Sequence, residues 1–493
     1  MSKESGGDSM RSIWKLAAVL GCLLIAAIVV VACSSGSSTP ASGMGKVSVM
    51  VSDPATCQAP GGPYSAVWVS ITDVKANVSA TAGATDSGWV DLTPGLSSAS
   101  SPMQINLLGQ ASNQCFLATL GDALELQAGT YQQIRLMLAP NTATVTGNKC
   151  GSAANCVMLT SDPTTPHPLL LSSEAQTGIK IPSGQIASGG FTIAAGQTED
   201  LDIDFLTCES IVQEGNMQFR LKPVLHAAEV KTTAVSVNGK VVDATGKPVA
   251  GAMVALEQPS GTDANGNPID RFLQAASTGS DGTWVICPLV VGDTSKPYDV
   301  VVTGSSSTGI LFAPSIVTGV NIGSTVGTVA LNASATATTA ALSTATITGQ
   351  VTSVSTGSTG VAIDAYLSAL ETINKVDYTI LLPPIGTQTG GSNMLVTTVN
   401  TPQTPACNPA TAFCINYTLL TQASGAYIGT WSSSGATLTQ PNPVPVYLVD
   451  GNATGTGSTT TPDCTPAEQI SHAVTLAGSP LAGTANLAFT GCS

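Results

Sequence analysis

Runs of alternating apolar and polar residues recur along this 493-residue chain, with Gly and Pro between them. Lys46-Val47-Ser48-Val49-Met50-Val51-Ser52 is one. Val67 to Ile71, Gln133 to Leu138, Leu201 to Phe205 and Phe219 to Lys222 follow the same pattern. A period of two gives a strand with one buried and one wet face. Amphipathic helical patterns longer than three turns are missing, and only 115–124 carries a short one. Further strand-like runs lie at Tyr378 to Leu382, Ile415 to Leu420 and Val444 to Val449. The pattern predicts an all-β chain. Charged residues make up only 9% of it, against about 25% in an ordinary soluble domain. Ser, Thr, Asn, Gln and Gly must therefore wet the surface.

The N-terminus sets the compartment. Lys3, Arg11 and Lys15 precede an apolar stretch from Leu16 to Val31, and Val30-Val31-Ala32-Cys33 then meets Ser34-Ser35-Gly36-Ser37-Ser38. The apolar stretch is shorter than the roughly 20 residues of a membrane span. The layout resembles a bacterial lipoprotein signal peptide over 1–32, with Cys33 as the acylated first residue of the mature chain. An uncleaved anchor is the alternative, and either places the rest outside the cytoplasmic membrane. Ser34 after the cysteine, by resemblance to other lipoproteins, favours the outer membrane. Residues 33–44 read as a tether.

Beyond residue 32 the basic residues fall from 16 to 13 (without Lys3, Arg11 and Lys15) and the acidic ones from 30 to 28 (without Glu4 and Asp8), a net charge of −15. Nucleic acid is not an expected partner, since phosphate binding needs clustered Lys and Arg. In an oxidising compartment the cysteines read as disulfides. Cys150 and Cys156 close a short loop, Cys407 and Cys414 close another, and Cys464 and Cys492 pair by elimination. The pairing of Cys57, Cys115, Cys208 and Cys287 stays open.

Six segments in order carry a family resemblance. They are Gly45 to Val49, Val69 to Val74, Gly88 to Leu92, Ala128 to Arg135, Phe191-Thr192-Ile193 with Leu201 to Phe205, and Leu221-Lys222-Pro223-Val224. Together, over 45–230, they resemble the bacterial lipoprotein module called domain of unknown function 4382. The resemblance implies a β-sandwich at a cell surface and brings no activity. Val237 to Asp243, Gly246 to Ala252, Thr278 to Trp284 and Tyr298 to Val302 then resemble a carboxypeptidase regulatory-like domain, a prealbumin-type sandwich, over 235–331. Gly246-Lys247 and Asp281-Gly282 supply its turn signals. Residues 333–344 read as a linker. Thr346 to Val351 echoes the opening of the preceding module, and 345–493 reads as a third β domain.

Few constellations point to chemistry. Asp200, Asp202 and Asp204 share one strand face and are a candidate calcium site, with a solvated strand face as the alternative. Asp263 to Asp270 has oxygen-bearing side chains at alternate positions, but Pro268 stands where a calcium loop needs glycine, so a hairpin loop is expected. His167, His226 and His472 lie far apart and outside any nucleophile or zinc motif. Trp431, beside Tyr427, is the candidate exposed aromatic, set against a core role. The expectation is three tandem β-sandwiches on a lipid anchor in the cell envelope, with a structural, adhesive or ligand-binding role and no catalysis or cofactor. The surface partner would be a glycan or a protein. A carbohydrate-binding accessory lipoprotein and a secreted hydrolase are the alternatives.

Overall fold

The strand Met44–Ser52 seeds the first sandwich. Its Val47, Val49 and Val51 point inward, as the alternation requires, and all three are fully buried. It pairs in parallel with Thr198–Phe205 and antiparallel with Ala118–Gln127, and Leu225–Val230 completes a four-stranded sheet. The facing sheet is built on Tyr64–Asn77. Gln133–Leu138 lies to one side of it and Cys156–Leu159 to the other. Val67, Val69, Ile71, Ile134 and Leu136 meet Leu201, Ile203 and Phe205 between the layers. Of the expected helix at 115–124, the described part from 118 onward is not helical. Residues 118–127 are a strand, because hydrogen bonding to Met44–Ser52 outweighs a weak local propensity.

These features come from a computed structural model described over residues 43–492, except 53–63, 109–117, 172–177, 215–216, 231–235, 288, 291, 294, 334–337, 382–392, 456–463 and 478–480. Cys33, the signal peptide, Cys57 and Cys115 fall outside the described residues, as does the Cys208 side chain.

The second and third sandwiches share a sheet. Among the described residues it has eleven strands. Tyr427–Thr430, Ser315–Val320, Tyr298–Thr303, Met253–Thr262 and Pro268–Ser277 run side by side, followed by Val376–Thr379, Ile363–Ile373, Val446–Gly455 and Glu468–Ile470. A three-stranded sheet centred on Val237–Asp243 covers the first half of this run, and Trp284, Val254, Leu256, Val300 and Val302 fill the space between. A four-stranded sheet centred on Thr344–Ser353 covers the other half, over Ile347, Val351, Leu367, Ala369, Tyr447 and Val449. Met253, Ala255, Val301 and Ile316 of the second sandwich join that third core from the opposite face of their own strands.

The junction is a short parallel ladder, Ile269 opposite Asp377 and Asp270 opposite Tyr378. The chain crosses it a second time, because Tyr427–Thr430, which lies between two strands of the third sandwich in sequence, pairs along the edge of the second. The fold is all-β and made of three sandwiches, the last two joined through one sheet, while 334–337 of the expected linker lie outside the described residues. Asp281-Gly282 forms the expected turn. Gly282 has φ +78°, and a Cβ there would come 2.3 Å from the Val241 carbonyl oxygen, so only glycine fits.

Candidate functional site

The three sandwiches enclose a cleft of about 460 Å³, within the size range of small-ligand sites. The first sandwich supplies residues 183–189, two short 3-10 turns beyond Ile179–Ile181, together with His226. The second supplies Gln258 to Gly261, Arg271 and Phe272, and the third supplies Asn452 and Glu468. The walls meet closely: a Cβ on Gly184 would lie 2.5 Å from Asn452 Oδ1.

Arg271 is the main tie between the second and third sandwiches here. Its Nη1 lies 2.8 Å from Asp450 Oδ2, its Nη2 pairs with Glu468 Oε1, and its Nε donates to the Ser260 carbonyl at 2.9 Å. Burial alone would lower the Arg271 pKa, but the two carboxylates outweigh it and raise the value. Asp450 is pushed up to about 7, chiefly by burial and against the pull of Arg271. Gln258 fastens the neighbouring loop. Its Nε2 donates to the carbonyls of Asp293 and Lys296, and its Oε1 accepts from the Asp293 N–H. Lys296 Nζ donates to the Pro259 carbonyl and sits 3.3 Å from Asp293. On the floor the His226 ring lies 4.5 Å from that of Phe272, tilted by 47°. Burial pulls the His226 pKa down to about 3, so the imidazole is neutral. Both cations of the cleft are thus paired with carboxylates, and the site offers polar groups around an aromatic floor rather than an excess of one charge.

The three aspartates of Thr198–Phe205 do not converge. Asp200 is half-buried, whereas Asp202 and Asp204 are 2% and 4% exposed. Ser52 Oγ donates to Asp202 Oδ2 at 2.7 Å and reaches Asp204 Oδ1 at 3.5 Å. Among the described residues no three His, Cys, Asp or Glu side chains are grouped to hold a metal ion. Nor is this face solvated. Met50, Ala228 and Val230, on the same face, pack into the core of the second sandwich, so the expected wet face is an internal contact. Ser52, Asp204 and His226 stand side by side across three strands. Their order does not match a nucleophile–base–orienter relay, since the serine donates to carboxylates.

The hairpin reading of 263–270 fits the structure: Asp263 accepts from the N–H groups of Asn265 and Asn267, both at 2.8 Å. Trp431 is half-buried against the second core, with Nε1 3.3 Å from the Thr325 carbonyl. Cys150–Cys156, Cys407–Cys414 and Cys464–Cys492 are disulfides, and Cys287 is disulfide-bonded as well. Such bonds mark a protein that matures in an oxidising, extracytoplasmic compartment. Sequence reasoning passed over Arg271 and Glu257, and weighed Asp270 only as the end of a hairpin loop. A charge inside an apolar strand run, in a chain with so few charges, was the signal for both.

Residues 44–223, most of the first sandwich, match the family model described as Domain of unknown function (DUF4382). No curated protein matches the chain. Among solved structures, the Bacillus anthracis TIE protein aligns at 9% identity over 91% of this chain and 50% of its own, with a TM-score of 0.14. The chain thus spans half the length of that protein. The Streptococcal ancillary pilin aligns at 10% identity over 90% of this chain and 99% of its own, TM-score 0.15. BcpA, the major pilin subunit of Bacillus cereus, aligns at 9% identity over 91% and 99%, TM-score 0.14. Overlays this loose carry no argument about role.

Proposed function

We propose that the protein is a lipid-anchored, non-catalytic binding protein of the cell envelope that holds a neutral, hydroxyl-rich ligand, one or two sugar rings of a surface glycan, in the cleft between its sandwiches. The observation that supports this reading most is the cleft itself, to which all three sandwiches contribute and in which every cation already has a carboxylate partner. An anion would have to break those pairs, whereas a sugar can lie on an aromatic face and exchange hydrogen bonds with amides and carbonyls. Cys33 would fix the body to the membrane through a diacylglycerol, in the outer membrane where the cell has one. A structural or adhesive role follows from an anchored, rigid body of this kind, and the reading needs no cofactor.

One experiment on whole cells tests the reading. Cells displaying the wild type, Ser260→Trp or Cys33→Ser are fed an alkyne fatty acid and challenged with a glycan array. Ser260 is exposed at the rim, so a tryptophan there fills the cleft without disturbing a core. Wild type should label and bind a subset of glycans, Ser260→Trp should label without binding, and Cys33→Ser should lose label. Equal glycan binding by wild type and Ser260→Trp would defeat the cleft, and equal labelling of all three would defeat the anchor.

A further inference from the structure

The seam between the second and third sandwiches is lined with carboxyl groups that face one another. The Asp270 and Asp299 carboxyl groups lie within reach of one another. Asp270 is fully buried, and neither of its carboxyl oxygens has a conventional donor among the described residues. Asp299 Oδ1 accepts from the Gly319 N–H at 2.8 Å. Glu257, opposite Asp299 in register and also fully buried, accepts from the Thr379 N–H at 3.1 Å through Oε2 and has no partner at Oε1. A second contact lies just beyond, between Asp377 and Asp263. Asp377 is fully buried and takes one hydrogen bond, from Thr372, at Oδ1, while its Oδ2 has no donor. The two contacts bracket the two-residue ladder that joins the sheets.

Two carboxyl groups within hydrogen-bond reach need a proton between them, because two carboxylates repel. We propose that these contacts make the seam a proton-operated latch, closed when the carboxyl pairs hold their protons and loosened when they lose them. The ionisable groups on the flanking elements are mostly acids, and the charge of Lys296 pulls Asp270 the other way. Met253–Thr262 contributes Glu257, Tyr298–Thr303 contributes Asp299, Pro268–Ser277 contributes Asp270, and Val376–Thr379 contributes Asp377 and Tyr378. Glu371 from Ile363–Ile373 is occupied by the Ala426 N–H and the Tyr447 hydroxyl. Arg271 belongs to Asp450 and Glu468. Lys296 and Lys375, on the adjoining turns, are exposed. No cation is buried against the pairs among the described residues.

The titration runs the same way. Burial, then the hydrogen bond and charge of Asp299, push Asp270 up to about 9. Burial, then the charge of Asp270, raise Glu257 well above the usual range. Burial raises Asp377 as well. Acids raised in the folded state favour folding below their unfolded value near 4, and that stability is lost as pH rises through the folded value. The latch is therefore closed in acid and weakens progressively as pH rises from about 4 toward about 9.

Thermal melting and amide exchange of the full ectodomain, at about pH 4.5 and about pH 8.5, test the latch. Wild type should melt lower at the higher pH, by on the order of 5 °C. After correction for intrinsic rates, exchange at Asp270 and Thr379 should quicken, while Val67 to Ile71 stays protected. Asp270→Asn keeps a donor facing Asp299 at every pH, so it should flatten the dependence and slow exchange at Thr379 at the higher pH. Asp299→Asn provides the same test if the first variant does not fold. An equal pH dependence in wild type and the folded variant overturns the proposal. So does restoration of the high-pH seam by calcium and its loss with a chelator, which would put a cation where we place protons.

Discussion

At the residue scale, burial decides what each carboxylate can do. Asp202 shows this outside the latch. It looks like a surface residue by alternation, yet it lies under the second sandwich with Ser52 as its hydrogen-bond donor and no partner at Oδ1. Burial pushes its pKa up to about 7, against the opposing effect of the Ser52 hydrogen bond. The same sign holds as for the seam. Its contribution favours folding below about pH 4 and is lost as pH rises through about 7. Asp202→Asn should therefore flatten the pH dependence of urea unfolding between those limits and leave the protein at least as stable as wild type at about pH 8. A variant less stable than wild type at pH 8, with its pH slope intact, would show that the ionised carboxylate is needed there.

At the element scale, two central strands solve one packing problem in the same way. Gly239 on Val237–Asp243 faces Trp284, and Gly349 on Thr344–Ser353 faces Tyr417, each directly across the ladder. A Cβ on Gly239 would come 2.9 Å from the indole, and one on Gly349 would come 1.7 Å from the Ala485 carbonyl oxygen and 2.6 Å from the tyrosine ring. Each aromatic lies over the bare backbone, an arrangement known to support strand glycines. Gly349→Ala should cost about 2–3 kcal/mol, an overpacking effect. Gly95→Ala, with nothing within 4 Å, should change little. A chemical denaturation series measures both. The faint echo between the openings of these two modules was thus legible in the sequence, and so were the strands whose alternation matches a single buried face. Ala118–Gln127 was not, because its burial follows no clean period and its pairing with Met44–Ser52 shifts register. Asp202 and Asp204 were misjudged for a different reason: what covers them comes from a distant part of the chain. The same long separations hid the cleft, since Arg271 and Glu468 lie 197 residues apart.

At the scale of the whole molecule, sheet continuity should govern unfolding. Residues from Gly43 onward form one compact unit, and the second and third sandwiches share strands as well as core. A separate melting step for 237–331 would need the ladder at Ile269 and Asp270, the Tyr427–Thr430 pairing and the shared core packing all to part. Scanning calorimetry should thus show one transition for 237–492, with the calorimetric and van't Hoff enthalpies in agreement for that block. Two resolved transitions within it would mean the shared sheet adds no coupling.

The strand Tyr427–Thr430 has a consequence for the order of assembly. Chains fold from the N-terminus as they emerge, and the edge at Ser315–Val320 stays uncovered until residues roughly a hundred positions later arrive to pair with it. Over that interval the equivalent strand of a neighbouring copy is chemically identical and fits as well, so crowded synthesis favours exchange of this strand between two chains. Swapped dimers, rather than amorphous aggregates, are the expected product of hurried expression.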